Sequence, residues 1–318
     1  MKVSSFLKLV EIQTKVASVI PFLIGTFYTI YYYNTFNVNN FILMLVSLLC
    51  IDMATTAINN YQDYRKAIKK YGYGYESHNA IVRDKLSERS VCTTIFALLA
   101  LATVFGLLLF LNSNVIVLLI GALSFLIGIT YSYGPVPISR TPFGEVFSGF
   151  TMGFFITFLA IYIHVFEKEL IMLALKGSML SIQLNLQEFV YIVLLTVPAI
   201  IGISDIMLAN NICDIEDDIE NNRYTLPIYI GKDRALKVFK ISYYLAYLML
   251  VILIILKAIP YICALTLITY LPVSKNIKTF YEVQSKKDTF VLAVKNFVMI
   301  NGVLASTLLV GTIIKVIN

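Results

Sequence analysis

Long apolar segments alternate with shorter polar ones along the whole chain. The apolar segments fall at residues 16–33, 41–58, 92–111, 115–133, 146–165, 188–209, 237–257, 260–273 and 290–313. A helix needs about 20 mostly apolar residues to cross a bilayer core, and most of these segments are close to that length. The pattern predicts an all-α integral membrane protein with nine transmembrane helices. The segment 260–273 is the shortest of them and is bounded by prolines.

The composition supports a membrane protein. Hydrophobic residues make up 58% of the 318 positions and charged residues only 14%, whereas soluble domains carry about 25% charged residues. The four cysteines have no paired spacing and there are only two histidines, so we expect neither a disulfide framework nor a His-based metal centre. Three lysines precede the first apolar segment, which has no small-residue cleavage site, so this segment is interpreted as a retained span.

The basic residues indicate an orientation. If the spans alternate, 21 of the 25 Lys and Arg residues lie on the side of the N-terminus, and the other side keeps Lys168, Lys176, Lys257 and Lys315. Such a bias marks the cytoplasmic side. We therefore expect a multi-pass protein of the cell membrane with a cytoplasmic N-terminus. The net charge of +6 then reflects topology, and no nucleic-acid partner is expected.

One short motif, Asn-Asn-x-x-Asp, occurs twice. It covers residues 59–63 and 210–214, and each copy directly follows an apolar segment. The copies open the two longest polar stretches, 59–91 and 210–236, both of which are predicted to be cytoplasmic. Their equivalent positions suggest two related halves within a single membrane domain of residues 1–318.

The residue types of the two motifs suit a metal site. Asn59 and Asp63 are four positions apart and share a helix face, and Asn60 is three positions from Asp63. The second copy continues the helical spacing from Asp214 to Asp217. Carboxylate and amide oxygens suit Mg²⁺, which takes one or two carboxylates together with substrate phosphates. The alternative is solvated loop charge. The candidate ligands are Asn59, Asn60, Asp63, Asp214, Asp217 and Asp218.

Two further carboxylates, Asp52 and Asp205, lie inside apolar segments upstream of the motifs. An ionisable residue inside a membrane is costly and often functional. The alternative is a structural partner on a neighbouring helix. A different class of protein, a cation-coupled transporter, would use these two residues as ion sites. Transporters of that kind place their sites near the midplane, whereas the repeated motif lies at one membrane face.

Basic and aromatic residues on the same inner side complete the candidate site. Arginine binds phosphate in a bidentate manner, although each basic residue could equally be a topology charge. Tyr131 lies where the fourth segment runs into a Gly/Pro-rich turn. Its ring could face a carbocation, or it could be an interfacial tyrosine. The candidates for diphosphate binding are Arg83, Lys85, Arg140 and Arg223.

Together these strings resemble the UbiA superfamily of intramembrane aromatic prenyltransferases. Within it, the likeness is greatest to the demethylmenaquinone-forming branch, which prenylates 1,4-dihydroxy-2-naphthoate. The resemblance covers residues 59 to 226 in the expected order. The matching strings are Asn59-Asn60-Tyr61-x-Asp63-Tyr64, Asn79-Ala80-Ile81-Val82-Arg83, Tyr131-Ser132-x-Gly134-Pro135-x-Pro137, Thr141-Pro142-Phe143-Gly144-Glu145 and Asn210-Asn211-Ile212-x-Asp214-Ile215-Glu216-x-Asp218-x-Glu220-Asn221-x-Arg223-x-Thr225-Leu226.

The resemblance implies a fold and an activity. Nine helices would surround a central cavity that opens to the cytoplasm and, for the prenyl chain, to membrane lipid. Mg²⁺ held by the two motifs would bind the diphosphate of an all-trans polyprenyl donor, and Arg83 would lie on the diphosphate side. The allylic cation would then alkylate the aromatic ring, with decarboxylation in the naphthoate branch. The catalytic candidates are Asp63, Asp214 and Tyr131.

The sequence departs from the family pattern at three positions. Ala67 stands where the first motif usually has a further acid, and Cys213 and Tyr224 stand at positions that are usually basic in the naphthoate branch. These changes leave two readings of the acceptor open: 1,4-dihydroxy-2-naphthoate, or another ring such as a hydroxybenzoate or haem.

Overall fold

The structure is a computed structural model that describes residues 1–66, 79–168 and 170–317. The first part of the chain forms six helices and one 3-10 turn. In order these are α1 (Val3–Leu9), the 3-10 turn (Ile12–Lys15), α2 (Val16–Tyr33), α3 (Val38–Lys66), α4 (Ala80–Arg83), α5 (Glu88–Leu111) and α6 (Val115–Ser132).

The remainder adds eight α-helices, one π-helical turn, two 3-10 elements and one hairpin. These are a 3-10 turn (Ile138–Arg140), α7 (Gly144–Gly149), a π-helical turn (Phe150–Phe155), α8 (Ile156–Val165), strands β1 (Ile171–Lys176) and β2 (Met179–Leu184), α9 (Leu186–Cys213), α10 (Ile215–Glu220), α11 (Leu226–Ile230), α12 (Lys232–Ile255), a 3-10 helix (Tyr261–Thr269), α13 (Tyr270–Glu282) and α14 (Phe290–Ile317).

Within the described residues, eight helical stretches are long and apolar enough to cross a membrane. They are α2 with the 3-10 turn before it, α3, α5, α6, the run from α7 through α8, α9, α12 and α14. This confirms the predicted all-α membrane fold class. The predicted number of nine is not confirmed. The segment 260–273 instead forms the 3-10 helix Tyr261–Thr269 and the start of α13. Its apolar run is short, and Lys275 and Lys278 follow within α13.

The chain divides into two compact units. The first consists of Met1–Ser18 with Ile42–Ser139, and the second of Val19–Phe41 with Arg140–Asn318. In the first unit, α1 and α4 pack against the C-terminal half of α3 and the start of α5. Their contact forms an apolar cluster that comprises Leu9, Ala57, Ile58, Ala80, Ile81, Val91 and Ile95.

A buried ion pair joins the N-terminal segment to α3 in the first unit. The Lys15 ammonium lies 2.6 Å from Oδ1 of Asp52 and 2.7 Å from the hydroxyl of Thr56. Ser18 donates to the other oxygen of Asp52 at 2.6 Å. Because each carboxylate oxygen has a close donor, the charge of Asp52 is compensated inside the apolar region. The structural alternative for Asp52 is therefore the one observed.

Asp205 in the second unit is also internally bonded. The Ser242 hydroxyl on α12 donates to Oδ2 of Asp205 on α9 at 2.6 Å. The Asp205 side chain is buried, so this bond ties two spans together where water does not reach. The carboxylates of Asp52 and Asp205 thus both accept hydrogen bonds within their own units.

Helix α9 lies at the centre of the second unit and contacts α7, the π-helical turn, α12 and α14. The contact with the π-helical turn is close because Gly153 has no side chain. An ideal Cβ at Gly153 would lie 2.5 Å from the backbone nitrogen of Ile200 on α9. This packing fixes the helix whose C-terminal end carries the second motif.

Candidate active site

The first motif lies on the last turns of α3, inside the first unit. Its helical conformation places Asn59 and Asp63 on one exposed face, as the four-residue spacing predicts. Asn60, one position further round the helix, is buried. The predicted polar loop 59–91 therefore begins as helix, which continues to Lys66. Ala67, the position that departs from the family pattern, lies outside the described residues.

Asn60 connects three segments of the first unit. Its side-chain nitrogen donates to the carbonyl of Leu9 at 2.9 Å and to Oε1 of Glu11 at 3.2 Å. Its own carbonyl accepts a hydrogen bond of 2.9 Å from the Asn79 amide. Asn79 in turn caps α4, since its Oδ1 accepts from the backbone nitrogen of Ile81 at 2.9 Å. The motif and the start of α4 are therefore held together by one side chain.

Arg83 and Lys85 follow from that cap. Arg83 ends α4, and its Nε lies 3.1 Å from Oδ1 of Asp84. The pKa of the Asp84 carboxyl is lowered from its ordinary value because Ser5 and Arg83 donate hydrogen bonds to it. Lys85 adopts a left-handed backbone conformation, with φ 51°, and is exposed. Both basic side chains are thus at the surface of the first unit, beyond the end of the capped turn.

The second motif lies where α9 ends, inside the second unit. The helix stops at Cys213, and Asp214 joins it to α10 with φ −104° and ψ 14°. The uninterrupted helical spacing expected from residue 210 onward is therefore broken at Asp214. Asp214 is half-buried and accepts from the Asn210 amide at 3.3 Å. Lys286, from the segment between α13 and α14, contacts Oδ2 of Asp214 at 2.5 Å and also Oδ1 of Asn210.

Asp217 and Asp218 differ in their surroundings. Asp217 is exposed, whereas Asp218 is buried and lies 3.2 Å from Nε of Arg223. Thr225 donates to Asp218 at 3.1 Å. Burial raises the pKa of the Asp218 carboxyl above its ordinary value, and Arg223 and the Thr225 hydroxyl counteract that shift. The carboxylate of Asp214 contacts both the side-chain nitrogen of Asn210 and the ammonium of Lys286.

The segment that begins at Arg140 is tied to the second motif within the second unit. The carbonyl of Arg140 accepts from the backbone nitrogen of Tyr224 at 3.1 Å, which fixes the place of Arg140 beside the segment that follows α10. Nearby, the Asn211 amide donates to Oε1 of the buried Glu145 at 2.8 Å. Tyr131 lies in the last turn of α6, in the first unit, and is half-buried.

The donor set of each motif is compatible with Mg²⁺. Oδ1 of Asn210 and Oδ2 of Asp214 both lie against the ammonium of Lys286, so two hard oxygens converge on one positive charge. In the described ranges, no three His, Cys, Asp or Glu side chains form a group that could hold a metal ion. The second motif offers the Asp214 carboxylate and the Asn210 amide oxygen side by side, which suits an ion that takes few protein ligands and completes its shell with water and phosphate.

Three contacts of the motifs were not anticipated from the sequence. The sequence alone assigns no role to Glu11, places Lys286 only among the basic residues of the inner side, and includes Glu145 only in a matching string. Each lies far along the chain from its partner: 72 residues separate Lys286 from Asp214, 49 separate Glu11 from Asn60, and 66 separate Glu145 from Asn211. No local spacing rule reports such pairs, so only the fold could reveal them.

The chain belongs to the UbiA prenyltransferase family, whose model matches residues 18–300. The predicted family is thereby confirmed, and the protein is a multi-pass membrane prenyltransferase. It is similar to 1,4-dihydroxy-2-naphthoate octaprenyltransferase of Bacillus subtilis (strain 168). The two are 31% identical over 249 residues, which cover 77% of this chain and 72% of that relative.

Solved structures of the same fold match nearly the whole chain. A UbiA homologue from Archaeoglobus fulgidus bound to GPP and Mg²⁺ has a TM-score of 0.67 and 15% identity, with 97% of this chain and 99% of that chain covered. An apo UbiA homologue from Aeropyrum pernix K1 has a TM-score of 0.67 and 17% identity, with coverage of 96% and 98%. A digeranylgeranylglyceryl phosphate synthase has a TM-score of 0.65 and 17% identity, and 98% of each chain is covered. At these identities the likeness concerns the fold alone.

Proposed function

We propose that this prenyltransferase transfers a polyprenyl group from an all-trans polyprenyl diphosphate to 1,4-dihydroxy-2-naphthoate, the demethylmenaquinone-forming reaction. The observation that carries the proposal is the 31% identity, over 77% of the chain, to an octaprenyltransferase named for that acceptor. The strings at residues 59–64, 79–83, 131–137 and 210–226 support the same branch.

The acidic motifs are proposed to hold Mg²⁺. Mg²⁺, when bound, supplies positive charge that stabilises the diphosphate leaving group. The A. fulgidus homologue bound to GPP and Mg²⁺ supports this assignment, as does the pairing of Asn210 and Asp214 oxygens around the Lys286 ammonium. The proposed ligands are Asn59, Asn60, Asp63, Asp214, Asp217 and Asp218.

Basic side chains are proposed to bind the diphosphate. Arg83 and Lys85 are exposed at the end of α4, and the Arg83 guanidinium, whose Nε contacts Asp84, has further donors that can reach a substrate oxygen. Arg223 forms an ion pair with Asp218. We propose that Arg223 contributes to substrate binding by orienting the segment that carries Asp218. Arg140 lies beside Tyr224 and is proposed to contact the same anion. Donors placed where negative charge develops lower the barrier to ionisation.

We propose that the protein also excludes water from the allylic cation and holds the cation close to the aromatic ring of the acceptor. Tyr131 is proposed to face the cation with its ring, since aromatic faces attract cations. The carbon–oxygen bond of the donor breaks first and diphosphate leaves. An electron-rich carbon of the acceptor then forms the new bond to the allylic cation, and the acceptor carboxylate leaves as CO₂, which restores the aromatic ring. Water has to be excluded because it would capture the cation.

The proposed orientation places the protein in the cell membrane with its N-terminus and both motifs on the cytoplasmic side. Its support is the distribution of the basic residues, 21 of 25 of which lie on the N-terminal side of the nine predicted spans. Water-soluble acceptor and diphosphate headgroup would then meet the motifs from the cytoplasm, while the polyprenyl chain stays in lipid.

An acceptor panel tests the proposal. Membranes that contain the protein are given a labelled polyprenyl diphosphate and, separately, 1,4-dihydroxy-2-naphthoate, 4-hydroxybenzoate or haem. We expect labelled product with the naphthoate alone, and none from membranes that lack the protein. Product only with hydroxybenzoate or haem would retain prenyl transfer and reject the naphthoate acceptor. The transporter hypothesis gains no support, because Asp52 and Asp205 are both bonded within their units.

A further inference from the structure

Glu11 lies in a strained bend between α1 and the 3-10 turn. Its backbone is left-handed, with φ 46° and ψ 62°, a conformation that L-residues other than glycine rarely adopt. Both sides of the bend are anchored to α3: the Leu9 carbonyl accepts from Asn60, and Lys15 is bonded to Asp52. Such strain persists where the surroundings fix it, and it is frequent at functional sites.

The bend directs the Glu11 carboxylate at the first motif. Oε1 of Glu11 accepts from the side-chain nitrogen of Asn60 at 3.2 Å, and the carbonyl of Leu9 accepts from the same nitrogen at 2.9 Å. Both protons of that amide group are therefore in use, and its orientation is determined. The same two hydrogen bonds therefore fix the orientation of the Asn60 side-chain oxygen, which is the atom able to bind a hard cation.

We propose that Glu11 is a positioning residue of the first metal motif, acting through Asn60. The proposal rests on the proposed function, which makes Asn60 a Mg²⁺ ligand. Residues that orient a ligand by a hydrogen bond change metal affinity by about 10- to 100-fold when they are removed. In this chain, which has Ala67 in place of the usual acid, a well-oriented Asn60 oxygen gains importance.

Direct binding of Mn²⁺ to the purified full chain, followed by electron paramagnetic resonance without any donor, tests the positioning role. We expect Glu11→Ala to weaken Mn²⁺ binding by about tenfold. Glu11→Gln should remain near wild type, because its amide oxygen can still accept from Asn60. Gln13→Ala, an exposed neighbour, is the matched control, and thermal melting verifies that each variant folds.

Each result decides one point. If Asn60→Ala weakens Mn²⁺ binding and Glu11→Ala does not, the role of Glu11 is rejected while the ligand assignment stands. If neither variant changes binding, the ligand assignment under the proposed function fails. If Glu11→Gln loses as much affinity as Glu11→Ala, the carboxylate charge itself is required, and the positioning role is overturned.

The hairpin β1–β2 is a second feature that the proposed reaction does not use. Its register pairs Ile171 with Leu184 and Leu173 with Ile182, and Leu180 lies two positions from Ile182 on the same strand. Because side chains alternate across a strand, these five positions share one face, and all of them are Ile or Leu. The other face of β2 carries Met179, Ser181 and Gln183.

The apolar face is open in the described structure. Leu180 is 62% exposed and Ile182 is 64% exposed. An isolated two-stranded hairpin is only marginally stable in water, so an open face of this kind requires a covering partner. The hairpin follows α8, which ends at Val165, and precedes α9, which begins at Leu186. Both helices belong to membrane spans, so the hairpin starts and ends at the membrane edge.

The base of the hairpin is fixed to those spans. Leu170 is buried, and its carbonyl accepts from the backbone nitrogen of Asn185 at 3.0 Å. We infer that the Ile/Leu face of the hairpin lies on the lipid surface, at the end of α9 opposite Asp214. The lipid-covered surface of the spans then continues without interruption onto the hairpin, as it does for amphipathic elements that lie in a membrane interface.

The chain has no tryptophan, so a single introduced Trp reports its own surroundings. Leu180→Trp and the adjacent Ser181→Trp probe opposite faces of β2. In vesicles of brominated phosphatidylcholine we expect strong quenching and a blue-shifted emission from Leu180→Trp. Ser181→Trp should be quenched less by bromine and more by aqueous iodide.

Equal iodide quenching of both variants would overturn the lipid contact. So would a blue-shifted Leu180→Trp that bromine does not quench and that shifts to the red on dilution in lipid, because a second copy of the chain would then cover the face. Wild-type prenyl transfer by both variants is expected and shows that they are folded.

Discussion

Lys286 and Asp214 lie 72 positions apart and form an ion pair with 2.5 Å between Nζ and Oδ2. The same ammonium contacts Oδ1 of Asn210. A cation thus lies between two proposed metal-binding oxygens, held by a segment that carries neither motif. If the motif binds a divalent ion as proposed, Lys286 and that ion would compete for these oxygens, so we expect the ion pair to lower the affinity for metal.

Replacing Lys286 by methionine should tighten metal binding in the absence of donor. The Lys286 side chain is 50% exposed, and ion pairs that are this open are worth about 0.2–1 kcal/mol. We therefore expect the Mn²⁺ affinity of Lys286→Met to rise by about 1.5- to 5-fold, measured by electron paramagnetic resonance. Lys287→Met, which alters an exposed neighbour, is the control. An unchanged or lower affinity would contradict competition at Asp214.

Substitution of the acidic motif residues should abolish prenyl transfer. Asp214→Ala and Asp63→Ala each remove a proposed carboxylate ligand, and we expect a loss of at least about 100-fold in rate with labelled donor, comparable to the loss of other charge-stabilising groups at active sites. Excess EDTA should stop the wild type, and added Mg²⁺ should restore it. Asp233→Asn, an exposed acid in the first turn of α12, should retain activity. Full activity in either Ala variant would reject its place in the metal site.

Breaking the intramembrane ion pair should destabilise the first unit. In Lys15→Met the carboxylate of Asp52 loses its cation, and removing one partner of a buried pair costs about 3–5 kcal/mol. The double variant Lys15→Met/Asp52→Leu should recover most of that loss because no unpaired charge remains. Denaturant titration in mixed micelles measures the free energy of unfolding, with the exposed Lys2→Met as control. A double variant no more stable than the single one would argue against the pair as the cause.

Adding one methyl group at Gly153 should disturb the centre of the second unit. The new Cβ would lie 2.5 Å from the backbone nitrogen of Ile200, and overpacking of this kind costs about 1–3 kcal/mol. Gly121→Ala is a matched control within a span, since nothing lies within 4 Å of a Cβ there. We expect a lower free energy of unfolding for Gly153→Ala and no loss for Gly121→Ala. If the two variants have equal free energies of unfolding, α9 can move away from the added methyl group without a loss of stability, and the prediction is wrong.

The spans were predictable because a bilayer imposes a minimum length of apolar helix that a sequence displays directly. The ends of the spans were less predictable. Helix α3 continues past residue 58 to Lys66 and carries the first motif on its last turns. The exposed face shared by Asn59 and Asp63 followed from helical spacing alone. The break at Asp214, by contrast, is set by its tertiary surroundings, which include Lys286.

Other features required the fold. The segment 260–273 is apolar yet forms a 3-10 helix, and its Thr269 hydroxyl lies 2.8 Å from the hydroxyl of Tyr247. The strands of β1–β2 are six residues each, too short for their alternation to stand out beside apolar segments three times as long. Glu11 could not be foreseen because its relation to Asn60 depends on a left-handed bend.

Asn79 bonds to Asn60 with its side-chain nitrogen and caps α4 with its side-chain oxygen. The spacing between the motif helix and the arginine-bearing turn is consequently set by one amide, independently of the chain that runs between them. Ala80 and Ile81, which follow this amide, pack in the same apolar cluster as Ala57 and Ile58 of α3. The position of the arginine relative to the motif is therefore determined twice, once by a polar clamp and once by apolar packing.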